Sequence, residues 1–241
     1  MILKKFGFTF FLTMAALLFA CGTEEMSNGE VVNDAVDQEV TPPEEQEPTN
    51  DDSSDTDEED PIFSETLKVL FVGNSLTYTN DLPKMVKEEA AYQQINLKTE
   101  MLALPNYAII DHWNDGNVQE RISNNNYDFV IIQQGPSSQP YGREVLIEYG
   151  EKFKTLCDQN GSELVFFMVW PSRTYYHTFN GVITNYKDAA SINKSLLAPV
   201  GEFWKQYFTD TGDFSYYGPD NFHPSPKGSH AAAKIIAETI F

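Results

Sequence analysis

Cysteine is scarce in this chain of 241 residues, which contains two, Cys21 and Cys157. Two cysteines cannot build the disulfide framework that holds many small secreted domains together. Cys21 follows an N-terminal apolar run and is a candidate for lipidation, which would leave Cys157 without a partner, so we expect no internal disulfide. Cys157 lies in a predicted helix, where we interpret it as a small buried apolar residue.

Basic residues are also scarce, because 16 Lys and Arg stand against 36 Asp and Glu and the net charge is −20. Much of this imbalance lies in residues 22–66, which contain 17 acidic residues and no Lys or Arg. Residues 67–241 carry 19 acidic and 14 basic residues, a net charge of −5. No basic stripe is present, so we expect no nucleic-acid partner.

Residues 1–21 carry an apolar run that is too short and wrongly flanked to span a membrane stably. The run follows Lys4 and Lys5 and ends in small residues before Cys21, which is the pattern of a secretory signal. The sequence L-F-A-C-G resembles a bacterial lipobox, in which Cys21 is lipidated and becomes the new N-terminus. The alternative is an ordinary cleavable signal with an incidental cysteine. The lipobox predicts a lipid-anchored protein on the periplasmic or outer face of the bacterial cell envelope.

Residues 22–66 mix their acidic side chains with Pro, Ser, Thr and Asn. Such a composition cannot bury enough apolar surface to offset the entropy lost on ordering, and like charges extend the chain. We expect a disordered tether between a lipid anchor and a folded domain. An acidic export or surface-display signal, or a calcium-binding tract, is the alternative.

Residues 67–241 alternate short apolar runs with helical patterns over an ordinary single-domain length. The apolar runs predict strands at 67–72, 97–103, 129–133, 164–169 and 198–200. The helical patterns lie at 81–93, 144–159, 184–197 and 225–241. Strands without strict alternation, separated by helices, predict an α/β fold with a parallel sheet covered on both faces.

Sites in parallel sheets lie beyond the carboxyl ends of the strands, and Ser75, Gln133 and Trp170 follow predicted strand ends. Residues 69–76 read V-L-F-V-G-N-S-L, an apolar run that ends at a Gly and then presents Ser75. Residues 220–224 read D-N-F-H-P, which places Asp220 three residues before His223. A Ser-His-Asp triad needs a base beside the hydroxyl and a carboxylate that fixes the tautomer of the base. The two segments therefore predict Ser75 as nucleophile, His223 as general base and Asp220 as its orienting acid.

The order and spacing of these two segments resemble the SGNH/GDSL esterase family over roughly residues 67–241. That family places its nucleophile just after the first strand and its D-x-x-H near the C-terminus. The resemblance implies a three-layer α/β/α, flavodoxin-like fold and a carboxylic ester hydrolase that needs no cofactor and no catalytic metal.

The resemblance also implies an oxyanion hole, which begins with the backbone N–H of Ser75. The family's second donor is a Gly after the second strand, where this chain has Asn106, a residue that tolerates left-handed backbone. The third is an Asn in G-x-N-D, where V-I-I-Q-Q-G-P-S-S places Ser137 after the matching Gly135. A related subset has a V-x-L-Q-x-x-S stretch, so we expect Gln133 to donate through its side chain, with Ser137 as the alternative.

Aromatic and basic residues in H-W-N-D-G and W-P-S-R-T-Y-Y-H are candidates for substrate binding. We expect Trp113, Trp170 and Tyr175 to form an aromatic wall and Arg173 to bind a polar or acidic group. Each aromatic residue has an ordinary core position as its alternative. Asp111, His112 and His177 match no strong metal signature.

The sequence therefore predicts an envelope-anchored serine esterase that removes acetyl or similar small acyl groups, with an acylated saccharide as the expected substrate. The lipid anchor would be its membrane contact. A lipase or thioesterase is one alternative, although no long apolar loop suggests a lid. A non-catalytic carbohydrate-binding lipoprotein with the same fold is the other alternative.

Overall fold

The computed structural model of the protein describes residues 65–241. The predicted signal in residues 1–21, with Cys21, and nearly all of the predicted tether in residues 22–66 lie outside the described residues. Among residues 65–241, no helix has the length and apolar content that a membrane span requires.

The centre of the domain is one five-stranded parallel sheet with the strand order β2-β1-β3-β4-β5. The strands are β1 (Leu67–Gly73), β2 (Leu97–Ala103), β3 (Phe129–Ile132), β4 (Glu163–Phe167) and β5 (Leu196–Ala198). Residues Val69 to Val72 of β1 are fully buried, as a strand covered on both faces requires. The parallel α/β sheet predicted from the apolar runs is confirmed.

Helices connect the strands and cover both faces of the sheet. They are α1 (Ser75–Tyr78), α2 (Leu82–Tyr92), α3 (Ile109–Asp115), α4 (Asn117–Asn124), α5 (Pro140–Gln159), α6 (Phe179–Ile192), α7 (Val200–Thr211) and α8 (Pro226–Ile240). The chain moves one way from β1 to β2 and the opposite way from β3 to β4 and β5. Right-handed crossovers therefore place α2 on one face with α8, and α5 and α6 on the other.

The strand order reverses direction between β1 and β3, which makes the gap between their carboxyl ends the switch point of the sheet. Open α/β sheets bind ligands in the crevice at that point. Ser75 follows β1 and Gln134 follows β3, so both lie at the switch point. The three-layer, flavodoxin-like architecture is the one expected from the sequence.

Several predicted boundaries are wrong. The helix predicted at 184–197 is α6, which begins at Phe179 and ends at Ile192, and the last strand begins at Leu196 instead of Ala198. Helix α5 begins at Pro140, four residues before the prediction, because the proline occupies the first helical turn. Helices α1, α3, α4 and α7 were not predicted.

The termini of two other elements follow the sequence closely. Pro83 lies in the first turn of α2. Ser225 caps α8, its side chain accepting a hydrogen bond from the Gly228 N–H, and Pro226 begins the helix. Cys157 is fully buried in α5, and burial raises the pKa of its thiol to about 12. The interpretation of Cys157 as a buried apolar residue is therefore confirmed.

Candidate active site

The nucleophile candidate lies on the tight turn between β1 and α1. Gly73 ends β1, and a Cβ there would overlap the side chains of Thr77 and Gln133, so only glycine fits. The Asn74 side chain accepts a hydrogen bond from the Leu76 N–H (3.1 Å) and donates one to the carbonyl of Tyr107 (2.9 Å). Asn74 thereby caps α1 and fixes the turn, and Ser75 is the first residue of the helix.

Gln133 supports this turn from below. Its side chain is buried, and its Oε1 accepts hydrogen bonds from the Asn74 N–H (2.9 Å) and from the Thr77 hydroxyl (2.9 Å). Gln133 does not contribute to the walls of the cavity beside Ser75. Gln133 Oε1 is therefore used under the strand end, while its Nε2 has no hydrogen-bond partner among the described residues. Donation from Gln133 Nε2 to an oxyanion stays a prediction.

The three triad candidates lie together although Ser75 and His223 are 148 positions apart in the sequence. His223 Nε2 lies 2.9 Å from Ser75 Oγ, and His223 Nδ1 lies 2.5 Å from Asp220 Oδ2. A carboxylate can only accept, so Nδ1 carries the proton and Nε2 is free to accept from the serine hydroxyl. This arrangement meets the geometric requirement for a serine nucleophile and its base.

Asp220 is held as a carboxylate. Burial tends to raise the pKa of Asp220, but the hydrogen bonds from the His223 ring and from the N–H groups of Phe222 and His223 outweigh it. The pKa of Asp220 therefore lies below its usual value. Its Oδ1 accepts from both N–H groups, at 3.0 Å and 2.9 Å, so one carboxylate orients both the loop and the ring.

The loop that carries His223 is fixed by hydrogen bonds to its backbone. Gly218 N–H donates to the carbonyl of His223 (2.7 Å), and Tyr217 pairs with Pro224 in an antiparallel bridge. The indole N–H of Trp170 donates to the carbonyl of Phe222 (3.0 Å). The Asn80 amide, from the segment after the nucleophile, donates to the carbonyl of Pro224 (3.0 Å).

A cavity of about 380 Å³ opens at Ser75, and we call it the first cavity. Its apolar walls come from Tyr107, Ala108, Ile110, Pro136, Tyr141, Val145 and Phe222. None of its wall residues is charged. The cavity can therefore hold an uncharged group that is bonded to the carbonyl carbon of an ester, with that carbon next to Ser75.

Two backbone N–H groups are candidates for the oxyanion hole. Ser75 and Asn106 both line the first cavity, and among the described residues neither N–H donates a hydrogen bond. Asn106 has φ 62°, so it has the left-handed backbone expected from its residue type. Ser137 also lines the cavity, and its Oγ accepts from the Gln139 N–H (3.3 Å), which leaves its O–H free to donate. Ser75 and Asn106 are the two backbone candidates, and the Ser137 hydroxyl remains the side-chain alternative.

A second cavity, of about 460 Å³, lies beside the first and shares Pro136, Ser137 and Phe222 with it. Tyr175 lines this second cavity with its side chain 61% exposed. Of the four residues expected to bind substrate, Tyr175 is the one that lines either of these two cavities.

The other three residues have different positions from those expected. Trp170 is fully buried and stacks on Trp204 with the ring centroids 3.6 Å apart. Trp113 packs edge-on against Phe153 and lines a groove along α5 instead of either cavity. Trp170 therefore belongs to packing, because its ring is covered by its neighbours, whereas Trp113 is partly buried and lies away from both cavities.

Arg173 supports the His223 loop instead of facing a cavity. Its guanidinium lies over the ring of Phe214, 4.5 Å from the centroid. The backbone N–H of Arg173 donates to the carbonyl of Asn221 (2.8 Å). Its expected role as a binder of an acidic substrate group is therefore not supported. The cation–π contact and the backbone hydrogen bond indicate a role in loop structure.

His112 is buried, and its Nε2–H donates to the carbonyl of Gly73 (2.7 Å) at the end of β1. Burial lowers the pKa of His112 below its usual value. Among the described residues, no cluster of three or more His, Cys, Asp or Glu side chains is arranged to hold a metal ion.

Sequence reasoning missed several cavity residues. Gln134 lines the first cavity, whereas Gln133, the residue before it, lies under the turn of the nucleophile. Neighbouring residues of an extended segment point to opposite sides, and this alternation is the sequence signal that could have distinguished them. Tyr141 lies on the first turn of α5, which was predicted to begin later. Tyr107 and Phe222 lie in loops whose residue types alone do not indicate a cavity.

No protein-family model and no curated protein sequence matches the chain. Solved structures do match. A protein from Slackia heliotrinireducens assigned to the SGNH hydrolases has a TM-score of 0.63 and 23% identity, covering 73% of this chain and 100% of that chain. An acetyl xylan esterase has a TM-score of 0.61 and 12% identity, covering 73% and 100%. A lipase/acylhydrolase from Enterococcus faecalis has a TM-score of 0.57 and 14% identity, covering 72% and 95%.

These identities are low, so the likeness concerns the fold. The chain has the fold of the SGNH/GDSL hydrolases over the domain that follows the acidic segment.

Proposed function

We propose that this chain is a serine esterase that cleaves small acyl esters, of the acetyl type, from carbohydrate. The observation that carries the proposal is the contact of Ser75 Oγ with His223 Nε2 at 2.9 Å, with Asp220 on the other ring nitrogen. An assembled triad at the switch point has no evident purpose in a protein that only binds saccharides. The same observation therefore argues against the non-catalytic alternative.

The first step is acyl transfer to the serine. His223 Nε2 takes the Ser75 proton as Oγ bonds to the ester carbonyl carbon, and the carbonyl oxygen becomes an oxyanion. The N–H groups of Ser75 and Asn106 would stabilise this oxyanion. The imidazolium, stabilised by Asp220, then gives its proton to the alcohol oxygen as the carbon–oxygen bond breaks.

The second step releases the acyl group. Water enters in place of the alcohol, His223 removes its proton, and the oxygen bonds to the acyl carbon. The Ser75–acyl bond breaks as His223 returns the proton to Oγ. The products are a carboxylic acid and the free alcohol, and the residues return to their starting states without a cofactor.

Two observations support a neutral, small acyl substrate on carbohydrate. Neither cavity has a charged residue in its walls, which disfavours phosphate-bearing thioesters because they need cationic partners. An acetyl xylan esterase also shares the fold. The expected substrate is therefore an acetylated saccharide.

One observation favours a second candidate, an esterase or lipase that takes longer acyl chains. The walls of the first cavity include Ile110, Val145 and Phe222, and its volume of about 380 Å³ exceeds what an acetyl group fills. A lipase/acylhydrolase shares the fold as well. Acyl-chain preference separates the two candidates.

The localisation is part of the proposal. We propose that Cys21 carries a lipid that anchors the protein in the bacterial cell envelope and that the acidic residues 22–66 act as a tether. The basic start, the apolar run and the sequence L-F-A-C-G support this proposal. A tether extended by its own charge would let the domain reach polymers near the surface.

The test is hydrolysis of 4-nitrophenyl acetate, butyrate and octanoate by the purified protein and by Ser75→Ala. We expect the acetate to be the best substrate and Ser75→Ala to lose at least about a thousandfold in kcat. Ser191→Ala, at an exposed serine of α6, is the matched control and should retain full activity. A preference for octanoate would favour the second candidate, and equal rates in wild type and Ser75→Ala would overturn the proposed function.

A further inference from the structure

The second cavity borders the first and, like it, has no charged residue in its walls. Its walls are largely apolar, and its polar groups include the hydroxyls of Ser138, Ser172 and Thr178 and the amide of Gln139. An uncharged, largely apolar cavity edged by hydroxyls suits a saccharide, whose ring has apolar faces and a rim of hydroxyl groups.

Tyr175 gives this cavity an exposed aromatic side chain. Exposed aromatic residues are common singly and need no explanation by themselves. Tyr175 differs because its backbone is fixed at both ends: its N–H donates to the carbonyl of Ser172 (2.9 Å), and its carbonyl accepts from the Thr178 hydroxyl (2.7 Å). The backbone that carries the ring is thus fixed, and the exposed ring lies at the rim of the cavity.

Phe222 sets the position of the cavity relative to the chemistry. It directly precedes His223, and its side chain borders both cavities. Asn106 and Ser75, the oxyanion candidates, line the first cavity alone. The leaving alcohol oxygen must lie within reach of His223 Nε2 to receive its proton. With the acyl group in the first cavity, which Ser75 lines, the second cavity across Phe222 is the space available to the alcohol side of the ester.

We propose that the second cavity is the saccharide subsite, with Tyr175 as the residue on which the sugar ring stacks. This inference rests on the proposed esterase function and adds the orientation of the substrate. The sugar hydroxyls contact the Ser138, Ser172 and Thr178 hydroxyls, and the alcohol leaves through this side after His223 protonates it. Tyr175 is a specificity-determining residue, because an ester with a small leaving group has no ring to place there.

The experiment compares the kcat/KM of a mono-acetylated methyl glucoside with that of 4-nitrophenyl acetate and follows their ratio in single variants. Tyr175→Ala should lower this ratio roughly fivefold, as expected for one lost aromatic contact. Tyr141→Ala is the matched variant, since Tyr141 is 68% exposed on the rim of the first cavity. Tyr92→Ala, at an 84% exposed tyrosine of α2, is the remote control.

A fall of the ratio in Tyr175→Ala, with no fall in Tyr141→Ala or Tyr92→Ala, is the expected result. An unchanged ratio in Tyr175→Ala, or an equal fall in Tyr141→Ala, would overturn the saccharide subsite while leaving the esterase function in place.

A second measurement tests the subsite without catalysis. The affinity of Ser75→Ala for the mono-acetylated methyl glucoside is measured by calorimetry, with and without Tyr175→Ala in the same chain. A roughly fivefold weaker affinity in the double variant supports the subsite even if wild type hydrolyses neither ester, an outcome that would remove only the proposed function. Equal affinities, or no binding by Ser75→Ala, would overturn the subsite.

Discussion

Asn80 lies where the segment of the nucleophile contacts the segment of the base. Its amide nitrogen donates to the carbonyl of Pro224 and to the Ser229 hydroxyl, both at 3.0 Å. Asn80 and Asp81 both have left-handed backbone, with φ 58° and 54°. Two consecutive non-glycine residues in this region are costly, and such strain persists where the surroundings fix the backbone. We interpret Asn80 as a positioning residue that holds the Pro224 end of the His223 loop.

Asn80→Gly should lower kcat about tenfold or more, with little change in KM, because small displacements of a base are costly. Glycine adopts the same backbone without strain, which offsets part of the cost of the two lost hydrogen bonds, so the free energy of unfolding should fall by no more than about 1–2 kcal/mol. Steady-state kinetics and denaturant unfolding of the same preparation check both expectations. Ser229→Ala removes the other partner of the amide and should keep kcat. A full kcat in Asn80→Gly would refute the positioning role.

His112 makes stability depend on pH. Burial lowers the pKa of His112, outweighing the hydrogen bond to Gly73 and the carboxylates of Asp115 and Asp111. Between the ordinary histidine pKa of about 6.5 and the folded value, the unfolded chain binds a proton that the folded chain does not. This contribution to stability is therefore present above about pH 6.5 and is lost as the pH falls through the folded value.

The variant His112→Gln keeps a side-chain N–H donor but does not titrate. We expect wild type to lose more unfolding free energy between pH 7 and pH 5 than His112→Gln does. Denaturant unfolding at several pH values measures this difference. The other three histidines are common to both proteins and cancel in the comparison. Parallel pH profiles for the two proteins would contradict the account of His112.

At the scale of whole elements, α7 approaches the segment after β4 closely. Gly201, in the first turn of α7, donates its N–H to the carbonyl of Met168 (3.0 Å). A Cβ on Gly201 would overlap the carbonyl of Val169. This approach lets Trp204 of α7 stack on Trp170, whose indole N–H holds the carbonyl of Phe222. Helix α7 thereby supports the His223 loop through two stacked rings.

Gly201→Ala should destabilise the fold by about 1–3 kcal/mol, since the added methyl group meets backbone that cannot rotate away. Chemical unfolding monitored by tryptophan fluorescence gives the change directly, because Trp170 and Trp204 report on the contact. Gly135→Ala is the comparison, as a Cβ at Gly135 meets nothing within 4 Å. Equal stabilities of the two variants would show that α7 can shift without cost.

The elements also show how far the sequence predicts local structure. Long apolar runs gave the strands, and Ser225 with Pro226 gave the start of α8, because both signals are local. Helix α7 was missed because its first residues follow a short strand without a clear cap, since no side chain of Pro199 caps it. The predicted start of α6 is too late, because Phe179 follows an aromatic segment whose sequence resembles a loop.

For the molecule as a whole, the sequence indicated the triad better than the cavities around it. Ser75 and His223 were paired from their order along the chain, and a parallel sheet brings strand ends to one edge. The roles of Gln133 and Trp170 depend instead on which way a side chain points after its strand. That direction follows from packing against distant residues such as Thr77 and Trp204, which no local pattern contains.

From the charge distribution and Cys21 we propose a lipid anchor and a folded domain joined by the acidic segment. We expect the chain expressed in bacteria to fractionate with membranes and to incorporate labelled fatty acid. Cys21→Ser should abolish both while leaving esterase activity unchanged, because Cys21 lies far outside the domain in sequence. A Cys21→Ser chain that still incorporates the fatty acid label would contradict the anchor.

The central claim is that Ser75 is a nucleophile activated by His223. The most direct measurement is reaction with a fluorophosphonate, which phosphonylates an activated serine oxygen and releases fluoride, followed by mass spectrometry of the labelled peptides. We expect a single modified residue, Ser75, and loss of labelling in His223→Ala with the fold intact. A protein that stays unlabelled, or that is labelled at Ser75 equally well without His223, would contradict this claim.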